Sequence, residues 1–122
     1  MKIMTFNTQH VADFYGSGLV DFEKYGEYIR NSGADVVGLN EIRSYGAERA
    51  DYENQTAKLA LLSDMPYSFF AKAIDLSGMG PYGNAILSKV PLIEVKTIPI
   101  PDPAPKRYDD YYETRCILKA SL

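Results

Sequence analysis

The stretch Ala34-Asp35-Val36-Val37-Gly38-Leu39-Asn40-Glu41-Ile42 decides how the rest of the chain is read. Val36 to Leu39 is apolar on both faces, which suits a central parallel strand covered from both sides. The run ends on an amide, Asn40, and a carboxylate, Glu41. Upstream, Ile3-Met4-Thr5-Phe6 is a second β-rich run, and it stops at another amide, Asn7. Between the two, Phe22, Gly26, Ile29 and Gly33 recur at helical spacing. Asp21 stands at the N-cap position of that helix, and Gly33 supplies its C-terminal stop.

Strand, helix and strand in this order make a βαβ unit, whose strands run parallel. Their carboxyl ends then lie side by side, and ligands of open α/β sheets bind in the crevice outside those ends. Asn7 and Glu41 therefore converge on one crevice. Strict alternation puts Glu41 on the face of Val37 and Leu39, and Asn7 on the face of Ile3 and Thr5. A carboxylate rising from an apolar face is costly unless it is paired or holds a cation. One carboxylate with an amide nearby suits Mg²⁺, with Mn²⁺ as a substitute, because that ion keeps several waters and takes substrate phosphate oxygens. A local ion pair with Arg43 is the competing reading of Glu41. Arg43 reads in turn as a bidentate phosphate clamp or as an ordinary surface partner of an acid.

Further along, Asp51 is placed to cap a second helix, with Leu59 and Leu62 turned inward and Met65-Pro66 ending it. Tyr67 to Ala73 reads as a strand, and Gly78, Gly80, Pro81 and Gly83 as a loop. Gly78-Met79-Gly80-Pro81 lacks the Lys and the following helix of a phosphate-binding loop, and so reads as a turn. Asn84–Ser88 and Leu92–Ile98 read as a hairpin joined through Lys89-Val90-Pro91. Residues 98–113 form a Pro- and Tyr-rich loop with polyproline character, expected to be mobile. Its Tyr108, Tyr111 and Tyr112 either stack on a planar ligand or pack the loop against the sheet. Thr114–Leu122 alternates Cys116, Leu118, Ala120 and Leu122 against more polar residues, a strand with one buried face.

Composition bounds the function classes. The 122 residues carry a formal net charge of -3, so charge alone gives no basic nucleic-acid footprint. No apolar run is long enough to span a bilayer, and the N-terminal residues do not resemble a signal peptide, which makes the cytoplasm the expected compartment. The single cysteine, Cys116, excludes an intrachain disulfide framework and a thiolate zinc cluster. Its alternation with core residues makes it a buried thiol. The single histidine, His10, follows the first strand, either lining the crevice or serving as a loop residue without chemistry.

Four segments carry a resemblance. Lys2-Ile3-Met4-Thr5-Phe6-Asn7 resembles the first strand of the endonuclease/exonuclease/phosphatase superfamily. Ala34 to Ile42 resembles its second motif, with Asn40 standing where Gln usually precedes the metal-binding Glu. Tyr82-Gly83-Asn84-Ala85-Ile86-Leu87-Ser88 resembles the third segment and Glu113-Thr114-Arg115 the fourth. The resemblance implies an α/β phosphoesterase fold: half of a four-layer α/β/β/α sandwich, with one mixed sheet and helices on its outer face. It implies Glu41 as the Mg²⁺ ligand, with Asn7 supporting the metal and phosphate site. Arg43 and His10 are implied on the substrate-phosphate side, with Glu113 and Arg115 in support; Asn84 reads either as a polar contact to substrate phosphate in the crevice or as a residue that satisfies the backbone beside the Gly/Pro turn.

The family's catalytic histidines belong to later segments that these residues do not include. The chain is therefore expected to be the N-terminal half of a larger domain, inactive alone. The complete protein is expected to hydrolyse a phosphoester or phosphodiester of nucleic acid, lipid headgroup or small phosphate. The alternative is a non-catalytic binding or structural half-domain. An inner sheet face fed by Ile3, Val37 and Leu39 would lie open in such a half, and a second copy of the chain is expected to cover it as a homodimer, with strand exchange by Thr114–Leu122 as a variant.

Overall fold

The computed structural model describes residues 1–44, 54–76, 80–105 and 113–122. The elements run β1 (Ile3–Asn7), a tight turn (Gln9–Val11), α1 (Phe22–Ser32), β2 (Val36–Arg43), α2 (Gln55–Leu62), β3 (Tyr67–Leu76), β4 (Gly80–Ser88), β5 (Glu94–Pro99) and β6 (Cys116–Ser121). The main sheet has the order β1-β2-β4-β3. It is mixed: β1 and β2 are parallel, while β4 is antiparallel to both β2 and β3. The architecture is the α/β class expected.

Local chemistry accounts for α1. The Asp21 carboxylate accepts from the Lys24 amide, and Gly33 closes the helix at φ 67°, where a side chain would be strained. Phe22, Gly26 and Ile29 are its buried stripe. Gly26 also lets α2 approach, since a Cβ there would lie 2.6 Å from Leu62 Cβ. Helix α2 begins one turn later than its apolar spacing suggests. Its cap is Asn54, whose side chain accepts from the Ala57 amide, and Asp51 lies outside the described residues. Leu59 is fully buried and Leu62 partly so, as expected.

Both helices cover one face of the sheet, and Val37, Leu39, Ile42, Ala85 and Leu87 pack against Phe22, Ile29 and Leu59 there. Val37 and Leu39 therefore belong to the helix side, not to an open inner face. Of the three residues assigned to that face, only Ile3 is exposed, at 70%.

The hairpin reading is corrected. β4 turns back from β3, not onto β5, and the segment read as a Gly/Pro loop is β4 itself from Gly80 onward. At the far end the Ser88 hydroxyl donates to the Val90 carbonyl at 2.7 Å and accepts from the Val90 amide at 3.1 Å, a local turn that steers the chain off the sheet. β5 then pairs antiparallel with β6, from Glu94 opposite Ser121 to Pro99 opposite Cys116. This two-stranded sheet packs over β3 and β4 on the face opposite the helices. The register of β6 is thus set by β5 within the chain. Of the Pro/Tyr-rich loop, residues 106–112 lie outside the described residues, and with them Tyr108, Tyr111 and Tyr112.

Candidate active site

The crevice sits where β2, β3 and β4 depart from regular pairing. Leu39 opposes Ala85 and Ile42 opposes Gly83, so Asn40 and Glu41 together face the single residue Asn84. This is a β-bulge, and it reverses the alternation of β2. Leu39 and Ile42 both reach the helix core, and Glu41 emerges on the side of Asn7. The apolar-face placement of Glu41 expected from strict alternation is corrected accordingly. Glu41 adopts φ 58°, a left-handed conformation that a residue with a side chain rarely takes. A second irregularity lies directly across β4: Lys72 opposes Gly83 and Ile74 opposes Tyr82, leaving Ala73 extra. Gly83 is required between the two, because a Cβ would collide with the Ala71 carbonyl oxygen and lie 2.9 Å from the Ala73 nitrogen.

The strained bulge is held from β1. The Thr8 amide donates to the Asn40 carbonyl at 3.0 Å. The Thr8 hydroxyl lies 3.0 Å from the Asn40 carbonyl oxygen and 3.1 Å from that of Glu41, so one proton is shared between the two acceptors. Thr8 is fully buried. Asn7 Nδ2 donates to Glu41 Oε1 at 2.9 Å, while Asn7 Oδ1 accepts from the Gln9 amide at 3.0 Å, which fixes the orientation of the carboxamide. The turn beyond is itself left-handed at Gln9, His10 and Val11. Gln55 braces it: Nε2 donates to the His10 carbonyl at 2.8 Å, and Oε1 accepts from the Arg43 amide at 2.9 Å. Such strain persists only where surrounding contacts over-determine it, and it concentrates at functional sites.

A cavity of about 330 Å³ results, lined by Asn7, Asn40, Glu41, Tyr82, Asn84, Glu113, Arg115 and their neighbours. Five of the expected site residues therefore meet: Asn7, Glu41, Asn84, Glu113 and Arg115. Arg115 Nη1 is 3.5 Å from Glu113 Oε1, with the arginine side chain 65% exposed. Asn84 spends both ends within the protein, accepting from Asn40 Nδ2 and donating to the Cys116 carbonyl, each at 3.1 Å. It ties β2 and β6 to β4 while lining the cavity, so of its two readings the structural one accounts for its hydrogen bonds.

Arg43 and His10 are placed elsewhere. Arg43 is 6% exposed, with its guanidinium 5.7 Å from the Tyr82 ring centroid, and neither it nor His10 lines the cavity. Beyond the bulge Arg43 pairs in register with Tyr82, and its guanidinium lies against that ring. The His10 ring lies beside that of Tyr82, centroids 5.2 Å apart, with a buried Nδ1 that has no hydrogen-bond partner among the described residues. Burial, then the Arg43 charge, lowers its pKa from the ordinary value, so it is held neutral. Tyr82 was not singled out from the sequence for chemistry. Burial, then the charges of Glu41 and Glu113, pushes its phenol up to about 12, so it stays a hydrogen-bond donor at the cavity wall. Thr8 and Gln55 were likewise missed, because their roles depend on contacts far apart in the chain. Cys116 is buried, and burial raises its thiol above the ordinary value.

The donor set is carboxylate and carboxamide oxygen with a protonated thiol, which fits a hard cation such as Mg²⁺ or Mn²⁺ and not a thiolate-bound metal. Among the described residues no three His, Cys, Asp or Glu side chains form a closed metal cluster.

Comparison with known proteins places these observations in a family. The chain resembles the structure of an endonuclease/exonuclease/phosphatase from Beutenbergia cavernae DSM 12333, with 27% identity, a TM-score of 0.69, and coverage of 81% of this chain and 28% of that one. It shares the fold of an endonuclease/exonuclease/phosphatase family protein from Leptotrichia buccalis C-1013-b at 14% identity, with a TM-score of 0.61 and coverage of 98% of this chain and 48% of that one. The chain thus spans less than half the length of either structure. No curated protein matches it. The model of the Endonuclease/Exonuclease/phosphatase family matches residues 4–118, nearly the whole chain, and the chain belongs to that family.

Proposed function

We propose that the protein carrying this chain hydrolyses a phosphoester or phosphodiester with a divalent cation, Mg²⁺ or Mn²⁺, held at Glu41. The observation that supports this best is the bulge that carries Glu41 off the helix face and onto Asn7. Glu41 would hold the ion, with Glu113 across the cavity as the second carboxylate. A cation bound there supplies Lewis-acid polarisation of the phosphoryl oxygens and a more acidic water. Asn7 orients the Glu41 carboxylate through its Nδ2 hydrogen bond. Tyr82, protonated, and Arg115, largely exposed, would donate to phosphate oxygens. His10 lies beside Tyr82 and does not line the cavity, so the described cavity residues offer no histidine as general base. The isolated 122 residues are therefore proposed to be inactive.

The test is turnover of a chromogenic phosphodiester by the full-length protein with Mg²⁺ or Mn²⁺, against the same protein with chelator. Glu41→Ala is expected to lower turnover by about a hundredfold or more, since the ion contributes several kcal/mol of charge stabilisation. Undiminished turnover in that variant would overturn the assignment. A protein inert under every metal condition would favour a non-catalytic binding half-domain.

Assembly and location belong to the same proposal. Ile3 and Ile117, 70% and 52% exposed, mark the apolar surface still open on the face of β5 and β6, and a second copy would cover it as a homodimer. Light scattering at micromolar concentration is expected to give twice the chain mass; a monomer would remove this part. Among the described residues no helix is long and apolar enough to cross a membrane, and a cytoplasmic setting is proposed with that in view.

A further inference from the structure

Asn7 has a second neighbourhood. Besides the Glu41 crevice it borders another cavity, of about 470 Å³, lined by Phe14, Tyr15, Tyr25 and Tyr28 and carrying Asp13 and Lys24. The volume falls in the range of small-ligand sites. We propose that this cavity binds a planar heteroaromatic group of the substrate, a nucleobase or a ring of that kind, while its phosphoester occupies the Glu41 crevice. The inference rests on the phosphoester reading and narrows its substrate class.

Three observations carry it. The first is exposure without a core role. Phe14, Tyr15 and Tyr28 are 63%, 98% and 54% exposed, and none belongs to the hydrophobic core. Single exposed apolar residues are ordinary, but a cluster of aromatic faces around one concavity marks a binding surface.

The second is that the Tyr25 side of the cavity is fixed. The Tyr25 hydroxyl donates to the Ala12 carbonyl at 2.7 Å, and its ring stacks on Phe6 with centroids 5.3 Å apart. Phe14 and Tyr15 stand edge to face at 5.2 Å. Their loop is closed at its base by the Asp13 amide on the Leu19 carbonyl and the Gly18 amide on the Asp13 carbonyl, both at 2.8 Å. Gly18, at φ 71°, makes that turn possible. Rings held in this way stack on a planar ligand with little ordering cost.

The third is charge. An aromatic cage also suits a quaternary ammonium, but such a group gains from an uncommitted carboxylate. Asp13 is committed, since Lys24 Nζ lies 2.7 Å from its Oδ1 and the Ser17 amide donates to its Oδ2. The Asp13–Lys24 pair leaves no net negative charge to hold a cation, while the ammonium hydrogens not used by Asp13 can meet the edge of a neutral ring. Asn7 borders both cavities and lies 2.9 Å from Glu41 Oε1, so the two spaces are adjacent.

The test is ligand-observed saturation-transfer NMR on the full-length protein without metal, using adenosine, AMP, glycerol 3-phosphate and phosphocholine. The adenine protons of adenosine and AMP are expected to receive saturation. Tyr15→Ala and Phe14→Ala, both at exposed positions and checked for fold by circular dichroism, are each expected to weaken AMP about tenfold. Glycerol 3-phosphate should be unaffected by either change. A short single-stranded oligonucleotide that binds more tightly than AMP identifies a strand end as the source of the ring, and equal affinity identifies a mononucleotide-like ester. Absence of saturation on adenine, unchanged AMP binding in both variants, or preference for phosphocholine would each overturn the proposal. Adenosine carries no phosphate, so the two readings fail separately. Turnover that depends on Glu41 without adenine contact leaves only the phosphoester reading, and adenine contact without turnover leaves only the cavity.

Discussion

Replacing Glu41 by glycine and by alanine distinguishes a bulged β2 from a regular one. Both substitutions delete the carboxylate, its hydrogen bond from Asn7 and any bound ion, so those losses cancel when the two variants are compared. What remains is the backbone. At φ 58° a residue with a Cβ carries a left-handed cost of about 1–2 kcal/mol that glycine does not. Glycine loses about 0.4–1 kcal/mol through the greater freedom of its unfolded chain. The Gly variant is therefore expected to be the more stable by about 0.5–1 kcal/mol. In a regular strand the order reverses, with alanine ahead by about 0.5–1 kcal/mol. Urea denaturation separates the two cases, since a slope of about 1–3 kcal/mol per molar turns the difference into a midpoint shift of a few tenths molar. An alanine variant more stable than the glycine variant would refute the bulge. Glu41 would then share the face of Leu39 and point into the helix core, and the crevice would lose its carboxylate.

Three other outcomes follow from the same contacts. Thr8→Val keeps the shape of a fully buried side chain but leaves the Glu41 carbonyl without its hydroxyl donor. A loss of about 1–3 kcal/mol in thermal or urea denaturation is expected, with weaker Mn²⁺ broadening of resonances near Asn7; Thr8→Ser should restore most of both, and a neutral Val variant would remove Thr8 from the support of the bulge. Gly83→Ala drives a methyl into the β3 backbone and is expected to cost about 1–3 kcal/mol or more, read by the same denaturation; an unchanged midpoint would show that Gly83 is not the point of close approach. Cys116 titrates near 9.0 when unfolded and higher when folded, because burial disfavours the thiolate. The folded state then holds the extra proton, so stability is intact below pH 9 and falls as pH rises from there through the folded value; Cys116→Ala should flatten that limb of the profile, and an identical limb in both proteins would place the titration elsewhere.

The parts of the fold that can be read in the sequence are those fixed by neighbours along the chain. The α1 helix is one such part, because Asp21 caps it and Gly33 ends it through bonds within a single turn. The meeting of Asn7 and Glu41 is another, since parallel strands joined by one helix must bring their carboxyl ends together. Pairing across longer separations is less legible. Lys89-Val90-Pro91 has the composition of a hairpin turn, yet Ser88 uses its hydroxyl to turn the chain away, and β5 finds its partner in β6 more than fifteen residues later. The glycines of β4 look like loop residues because a glycine demanded by a neighbouring backbone and one demanded by a turn are the same letter.

The face of Glu41 is the most instructive of these failures. Period-two alternation is a rule about unbroken strands, and one inserted residue inverts everything beyond it. Nothing local announces the insertion, because Glu at a left-handed position is the residue type that local preference argues against. The support comes from Thr8, more than thirty positions away, and the opposing irregularity from Ala73, about as far in the other direction. A sequence selected for stability alone would put glycine or asparagine at the bulge. A glutamate stands there instead, held in place by a buried hydroxyl and oriented by Asn7, as the oxygen ligand proposed for the crevice requires. Arg43, beyond the bulge and paired with Tyr82, lies buried against that ring, so Glu41 is the charged residue of β2 that reaches the crevice.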